Sequence, residues 1–171
     1  RIDCSGTFDG NGYTITGLKD CLIDWNTGTV RNLTLVNPNV NTSYHRAGAV
    51  ASENFGTIEN CHVVGGSVKS SWEDTGGIVG NNEDGNILAC SSTATVTGAG
   101  ATGGIVGYNA GSVLACYATG SVTSSGGYIG AIVGRRDGGT QTACYWSGDA
   151  EKGVGFDTDN TMEVGDGNWL T

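Results

Sequence analysis

Few residues in this chain combine chemical reactivity with suggestive spacing, and they fall into short groups. Tyr44, His45 and Arg46 form one, Trp72, Glu73 and Asp74 a second, and Tyr128 stands at a comparable offset further on, each just ahead of a glycine-rich block. Aromatic faces beside carboxylates suit recognition of a sugar or a protein surface, because a ring offers contact area at low entropic cost. The competing role for such rings is to cover the core at a corner. The loop from Val96 to Gly104 has no aromatic residue and interrupts the series. Arg135, Arg136 and Asp137, with Arg31 and Glu59, come nearest to the carboxylate and base sets that polysaccharide hydrolases and lyases need. Opposite charges on neighbouring strands read more simply as surface pairs. No serine, cysteine or threonine is spaced with a base as an activated nucleophile, so the expectation is a chain without catalytic residues.

Metal and redox chemistry are weakly supported. Three acidic strings invite calcium: DGNG (Asp9 to Gly12), NNEDGN (Asn81 to Asn86) and DTDNTMEVGDG (Asp157 to Gly167). The last places Met162 where a calcium loop needs glycine and Asn168 where it needs a bidentate glutamate. Turn formation accounts for the first two without a metal. Among the six cysteines, Cys61, Cys90, Cys116 and Cys144 each follow a glycine by five residues, after Gly56, Gly85, Gly111 and Gly139. With Leu33 they read as one column of small buried hydrophobes. Cys4 and Cys21 stand outside the column and are the candidates for a disulfide. No C-x-x-C pair is present to hold zinc. No cofactor is expected.

What must position these groups is a repeat. TGGIVGNN at Thr75 to Asn82 returns as TGGIVGYN at Thr102 to Asn109 and as IGAIVGRR at Ile129 to Arg136, at steps of 27 residues. Five repeats begin near residues 21, 49, 78, 105 and 132, an entry rung covers 2–18, and the tail 147–171 fits no repeat and reads as a cap or a link. Self-similarity at such a period signals a solenoid or an array. Within a unit the runs TVRNLTLV, TIENCHVV and SVLACYATGSV carry strand composition between glycine and asparagine clusters, with no helical stripe. The expected fold is all-β, a right-handed parallel β-helix of about six rungs, roughly 29 Å long at 4.8 Å per rung. Aligning the units puts Ile78, Ile105 and Ile132 in a column with Ala49 and Cys21, and Val79, Val106 and Val133 in the next with Val50 and Leu22. Thr93, Thr95 and Thr97 align with Thr119, Ser121 and Thr123, a threonine array too short for ordering water and ordinary for a solvated sheet.

Composition agrees. Of 171 residues 31 are glycine and one is proline, and 17 acids against eight bases give a net charge of −9. Such acidity argues against nucleic acid or an anionic membrane as partner. No apolar run reaches the length of a membrane span. The start at Arg1 without methionine is read as that of a processed or excised fragment.

The strings GGIVGNNEDGNILAC, GGIVGYNAGSVLACYATGSV and AIVGRRDGGTQTACYW resemble the GLUG-motif repeats of bacterial surface proteins, and GTFDGNGYTITGL resembles the entry rung that precedes them. Two early units depart from the motif, with CLIDW and AVASE in place of GIVG. The resemblance implies right-handed β-solenoid modules of secreted or surface-anchored proteins, including adhesin-like chains and non-catalytic regions of immunoglobulin-A-cleaving metallopeptidases. This chain has only His45 and His62 and no H-E-x-x-H, so it is not itself such a peptidase. The expected role is a non-catalytic extracellular or cell-surface module, adhesive or scaffolding, whose partner is a protein or glycan surface. A self-assembling filament or surface-layer subunit is the alternative, since open strand edges can template further copies. A carbohydrate-active β-helix enzyme is the third.

Overall fold

A computed structural model describes residues 1–43, 46–148 and 150–158. Every regular element among them is a β-strand, and every pairing is parallel. The strands Ile2–Cys4, Ile23–Asn26, Ala51–Asn54, Val79–Asn82, Val106–Asn109, Val133–Arg136 and Val154–Asp157 lie side by side in one seven-stranded sheet. From it the chain passes in each turn to a ten-stranded sheet, in the middle turns then through a four-stranded and a three-stranded sheet, and returns one strand further along. This is a parallel β-solenoid. The sheet continues past Trp146, because Val154 pairs with Val133 and Asp157 with Arg136. Residues 159–171 of the tail, including most of the calcium-like string and Trp169, lie outside the described residues.

Register corrects one alignment. The seven-stranded sheet pairs Val79 with Ala51 and Ala51 with Ile23, so Ile23 and Ala51, rather than Leu22 and Val50, share the column of Val79, Val106 and Val133. Further along the same turn Asn86 pairs with Thr57, one residue out of step with the Val79–Ala51 pairing. The extra residue is taken up in the corner at Glu83 and Asp84, where no ladder constrains the count. A one-residue slip inside a strand would turn every side chain to the other face; in a corner it costs little.

Three inward columns hold the turns together. Ile58, Ile87 and Val113 are fully buried, as are Val79, Val106 and Val133. The column Leu33, Cys61, Cys90, Cys116 and Cys144 is buried too, and all six cysteines are free thiols, Cys4 and Cys21 included. Hydrogen bonding to the Cys116 and Cys61 thiols, with burial, pushes the Cys90 thiol above the ordinary range, so Cys90 stays protonated. Just before each of these residues the backbone enters the left-handed region, at Asn32, Asn60, Ala89, Ala115 and Ala143, with φ between 50° and 54°. That single turn aims the next side chain at the core. Corner glycines have a different cause: a β-carbon on Gly56 would overlap the Gly28 carbonyl oxygen one turn away.

A fourth column was not visible in the alignment. Asn26, Asn54, Asn82 and Asn109 are fully buried and joined by side-chain amide bonds, each Nδ2 donating to the next Oδ1 at 2.7 Å. Its end meets Arg136, which pairs with Asp157 at 2.6 Å with only 3% and 12% of the two side chains exposed. The signal for it lies in N-x-G at Asn26, Asn54 and Asn109, an asparagine shortly before each corner glycine.

Candidate ligand-binding face

Strand alternation decides which residues meet solvent. One position before the asparagine column the units stop resembling one another: Trp25, Glu53, Asn81, Tyr108, Arg135 and Phe156 follow in register, and all reach solvent except Asn81, which is buried and donates to Glu83 at 3.0 Å. Aromatic groups occupy both ends of this outward column. Trp25 is 49% exposed and stacks on Phe55 with centroids 5.3 Å apart and planes at 11°. At the other end Tyr128 packs on Phe156 at 4.9 Å. Between them the Arg135 guanidinium lies 5.5 Å over the Tyr108 ring and pairs with Asp137 at 3.0 Å, while the Tyr108 hydroxyl donates to the same carboxylate.

The Trp25 end is concave. Asp24, Trp25, Arg46, Ser52, Glu53, Trp72 and Glu73 line a cleft of about 270 Å³. Arg46 organises its floor, reaching Glu53 at 3.0 Å, Glu73 at 3.1 Å and Asp74 at 3.7 Å. Partial burial works against the Arg46 charge, but Glu53, Glu73 and Asp74 outweigh it and raise its proton affinity. Asp24 is held from below by Arg1 at 3.1 Å. Trp72 stands 62% exposed at the rim. Asp74 does not line the cleft; it turns inward and accepts the Ala101 backbone N–H at 3.2 Å. Burial raises its proton affinity above the ordinary carboxylate range, opposed by that hydrogen bond and by Arg46.

The residues expected from spacing therefore separate. Trp72 and Glu73 join a cleft, Asp74 supports it from behind, and Tyr128 belongs to the far aromatic pair with Phe156. Tyr44 and His45 lie outside the described residues. Trp25, Phe55 and Glu53 were missed, because they come from the preceding turns and only stacking brings them to Trp72. Arg135 and Arg136 do not form one patch: alternate residues face opposite ways, so Arg135 is at the surface and Arg136 is buried against Asp157. Arg31 pairs with Asp9 at 2.9 Å and Glu59 at 3.9 Å along the rod, a surface chain of charges as expected. One contact that spacing did not announce joins His62 Nδ1 to Ser91 Oγ at 2.8 Å, with Nε2 at 3.1 Å from Asn60 Oδ1. Ser91 is buried, which withholds its hydroxyl from a substrate and leaves the pair a bond between turns.

In the sheet that contains Ser67–Ser70, Lys69, Thr97 and Thr123 share a column and line a shallow hydroxyl-rich groove of about 430 Å³. Among the described residues no cluster of three or more His, Cys, Asp or Glu side chains is arranged to hold a metal ion, and no helix is long and apolar enough to cross a membrane.

Comparison with known proteins settles the repeat. Residues 73–97 and 98–123 each match the GLUG motif. The chain carries GLUG repeats. In the structure the two matched GLUG repeats span the successive turns between Trp72 and Thr123, so the motif coincides with one coil of the solenoid. The crystal structure of a candidate immunoglobulin A1 protease from Bacteroides ovatus is similar at 27% sequence identity, with a TM-score of 0.70 over 81% of this chain. The match spans 48% of that chain, so the present chain corresponds to about half of its length. No curated protein matches the chain significantly.

Proposed function

We propose that this solenoid is a non-catalytic binding module of a secreted or cell-surface protein, and that its ligand is met at the Trp25–Trp72 cleft. The observation that supports the reading is the division of labour between columns one residue apart. The inward Asn26, Asn54, Asn82 and Asn109 repeat because they build the scaffold, whereas Trp25, Glu53, Asn81 and Tyr108, one residue earlier, differ at every turn. Two indoles half or more exposed have no part in the core, and large rings kept in water around a concavity are the common mark of an interface. Binding is favoured over catalysis because Glu53 and Glu73 are both engaged by Arg46 and Asp24 by Arg1, which leaves no uncommitted acid and base facing each other among the described residues. Likeness to half of a candidate immunoglobulin A1 protease is in keeping with an accessory region of an extracellular protein.

The test is a panel of immobilised glycans and extracellular host proteins, probed with the wild-type module and with a Trp25→Ala, Trp72→Ala double variant. Binding to a member of the panel that the double variant loses supports the role. Equal retention by both proteins removes it, and release of reducing or unsaturated ends from a polysaccharide panel would replace it with catalysis.

A further inference from the structure

We infer that the Trp25–Trp72 cleft takes an organic cation, the lysine or arginine side chain of a basic partner segment; this rests on the binding role proposed above and names its ligand class. Charge is the first support. Asp24, Glu53 and Glu73 line the cleft, with Asp74 behind it, and they outnumber the two arginines, Arg46 and Arg1, that approach them. Both arginines are already turned to carboxylates of the chain itself, so among the described residues of the cleft no cation is left to receive an anionic ligand. The carboxylates that remain most open are those of Glu73 and Asp24, with 44% and 37% of their side chains exposed.

Aromatic surface is the second support. A cation is attracted to the face of an indole more than to any other ring, and the methylene stem of lysine or arginine covers such a ring while its head stays beside a carboxylate. Trp25 and Trp72 supply the rings and Glu73 and Asp24 the counter-charges. Size agrees: at about 270 Å³ the cleft falls just below the usual span of small-molecule sites, roughly 300–1,000 Å³, and suits one long side chain better than an oligosaccharide. A net charge of −9 adds long-range attraction for a basic partner. A neutral sugar would use the rings but not the excess carboxylate, and an acidic one would be repelled by it.

The probes are fluorescein-labelled extended peptides in which glycine alternates with lysine, with norleucine or with glutamate, together with a neutral oligosaccharide. Affinity is read by anisotropy, and the site by the indole N–H resonances of Trp25 and Trp72. The lysine peptide should move both resonances and bind at least about tenfold tighter than the norleucine peptide, with Asp24→Asn, Glu73→Gln costing about tenfold. Asp84→Asn, Glu151→Gln removes the same charge from exposed sites elsewhere and should leave affinity within about twofold. Equal affinity for lysine and norleucine, or equal loss in the two charge variants, overturns the inference. Movement of both indoles by the norleucine peptide or the oligosaccharide without preference for lysine also overturns it while leaving the cleft a binding site. Lysine-peptide binding that Trp25→Ala, Trp72→Ala does not weaken overturns both proposals.

Discussion

Replacing Asn82 by alanine tests the scaffold at its centre. The Asn82 amide accepts from Asn54 Nδ2 at 2.7 Å and donates to Asn109 Oδ1 at 2.7 Å and to the Gly85 carbonyl at 3.0 Å, all without solvent contact. The Gly85 oxygen keeps the Ser112 N–H, and Asn54 Nδ2 keeps the Gly56 carbonyl. Asn109 Oδ1 is the acceptor left bare, and Asn54 loses the better of its two partners. An orphaned buried acceptor costs about 1–3 kcal/mol and a lost hydrogen bond about 1 kcal/mol. The sum is about 2–4 kcal/mol, a fall in melting temperature of about 4–16 °C for a chain of this size. Calorimetry with urea titration reads it, with Asn86→Ala, in the exposed turn column, as the neutral reference. Asn82→Asp keeps the volume but sets an unpaired charge against Asn109 Oδ1, and should cost more than alanine. A loss below about 1 kcal/mol, or aspartate milder than alanine, would refute the claim that amide bonding rather than volume sustains this column.

Three other outcomes follow from the same geometry. Ala115→Asn should stabilise by a few tenths to about 1 kcal/mol, since alanine at φ 54° pays a steric cost that asparagine bears better, as Asn32 and Asn60 do in the same column; loss of stability in urea titration would count against it. The thiols of Cys61, Cys90, Cys116 and Cys144 should resist iodoacetamide in native buffer and react together on unfolding, whereas alkylation of one of them in the native state would contradict the packed column. Asp74 binds its proton more tightly folded than unfolded, so its stabilising effect is complete at low pH and is lost as pH rises from about 3.8 through the higher folded value. Wild type should therefore lose stability relative to Asp74→Asn as pH rises above about 3.8, and a gap that stays constant or moves the other way would exclude the assignment.

The solenoid was legible because its period is written in the chain: GIVG, the corner glycine and the cysteine five residues on each mark a place where one turn meets the next. The Val79 register was misread because gaps were judged from the cysteine spacing, whereas the turn takes up its extra residue at Glu83 and Asp84, upstream of Cys90 and downstream of Val79. The asparagine column escaped notice for a related reason, as its four members sit at the same position in the sheet while their distance to the next glycine varies. The site was legible only in part. Trp72 and Glu73 stand out as a pair in sequence, but their partners Trp25, Glu53 and Arg46 come from other turns, and no local pattern ties residues that only stacking brings together.

Scaffold and site should be separable, and one protein tests this most directly: the Trp25→Ala, Trp72→Ala variant, carried through urea unfolding and the ligand panel side by side. Trp72 is 62% exposed and Trp25 gives up one stacked contact with Phe55, so the account predicts a stability loss of no more than about 1.5 kcal/mol together with loss of ligand binding. A variant that unfolds far more easily, or one that stays folded and binds as the wild type does, would contradict it.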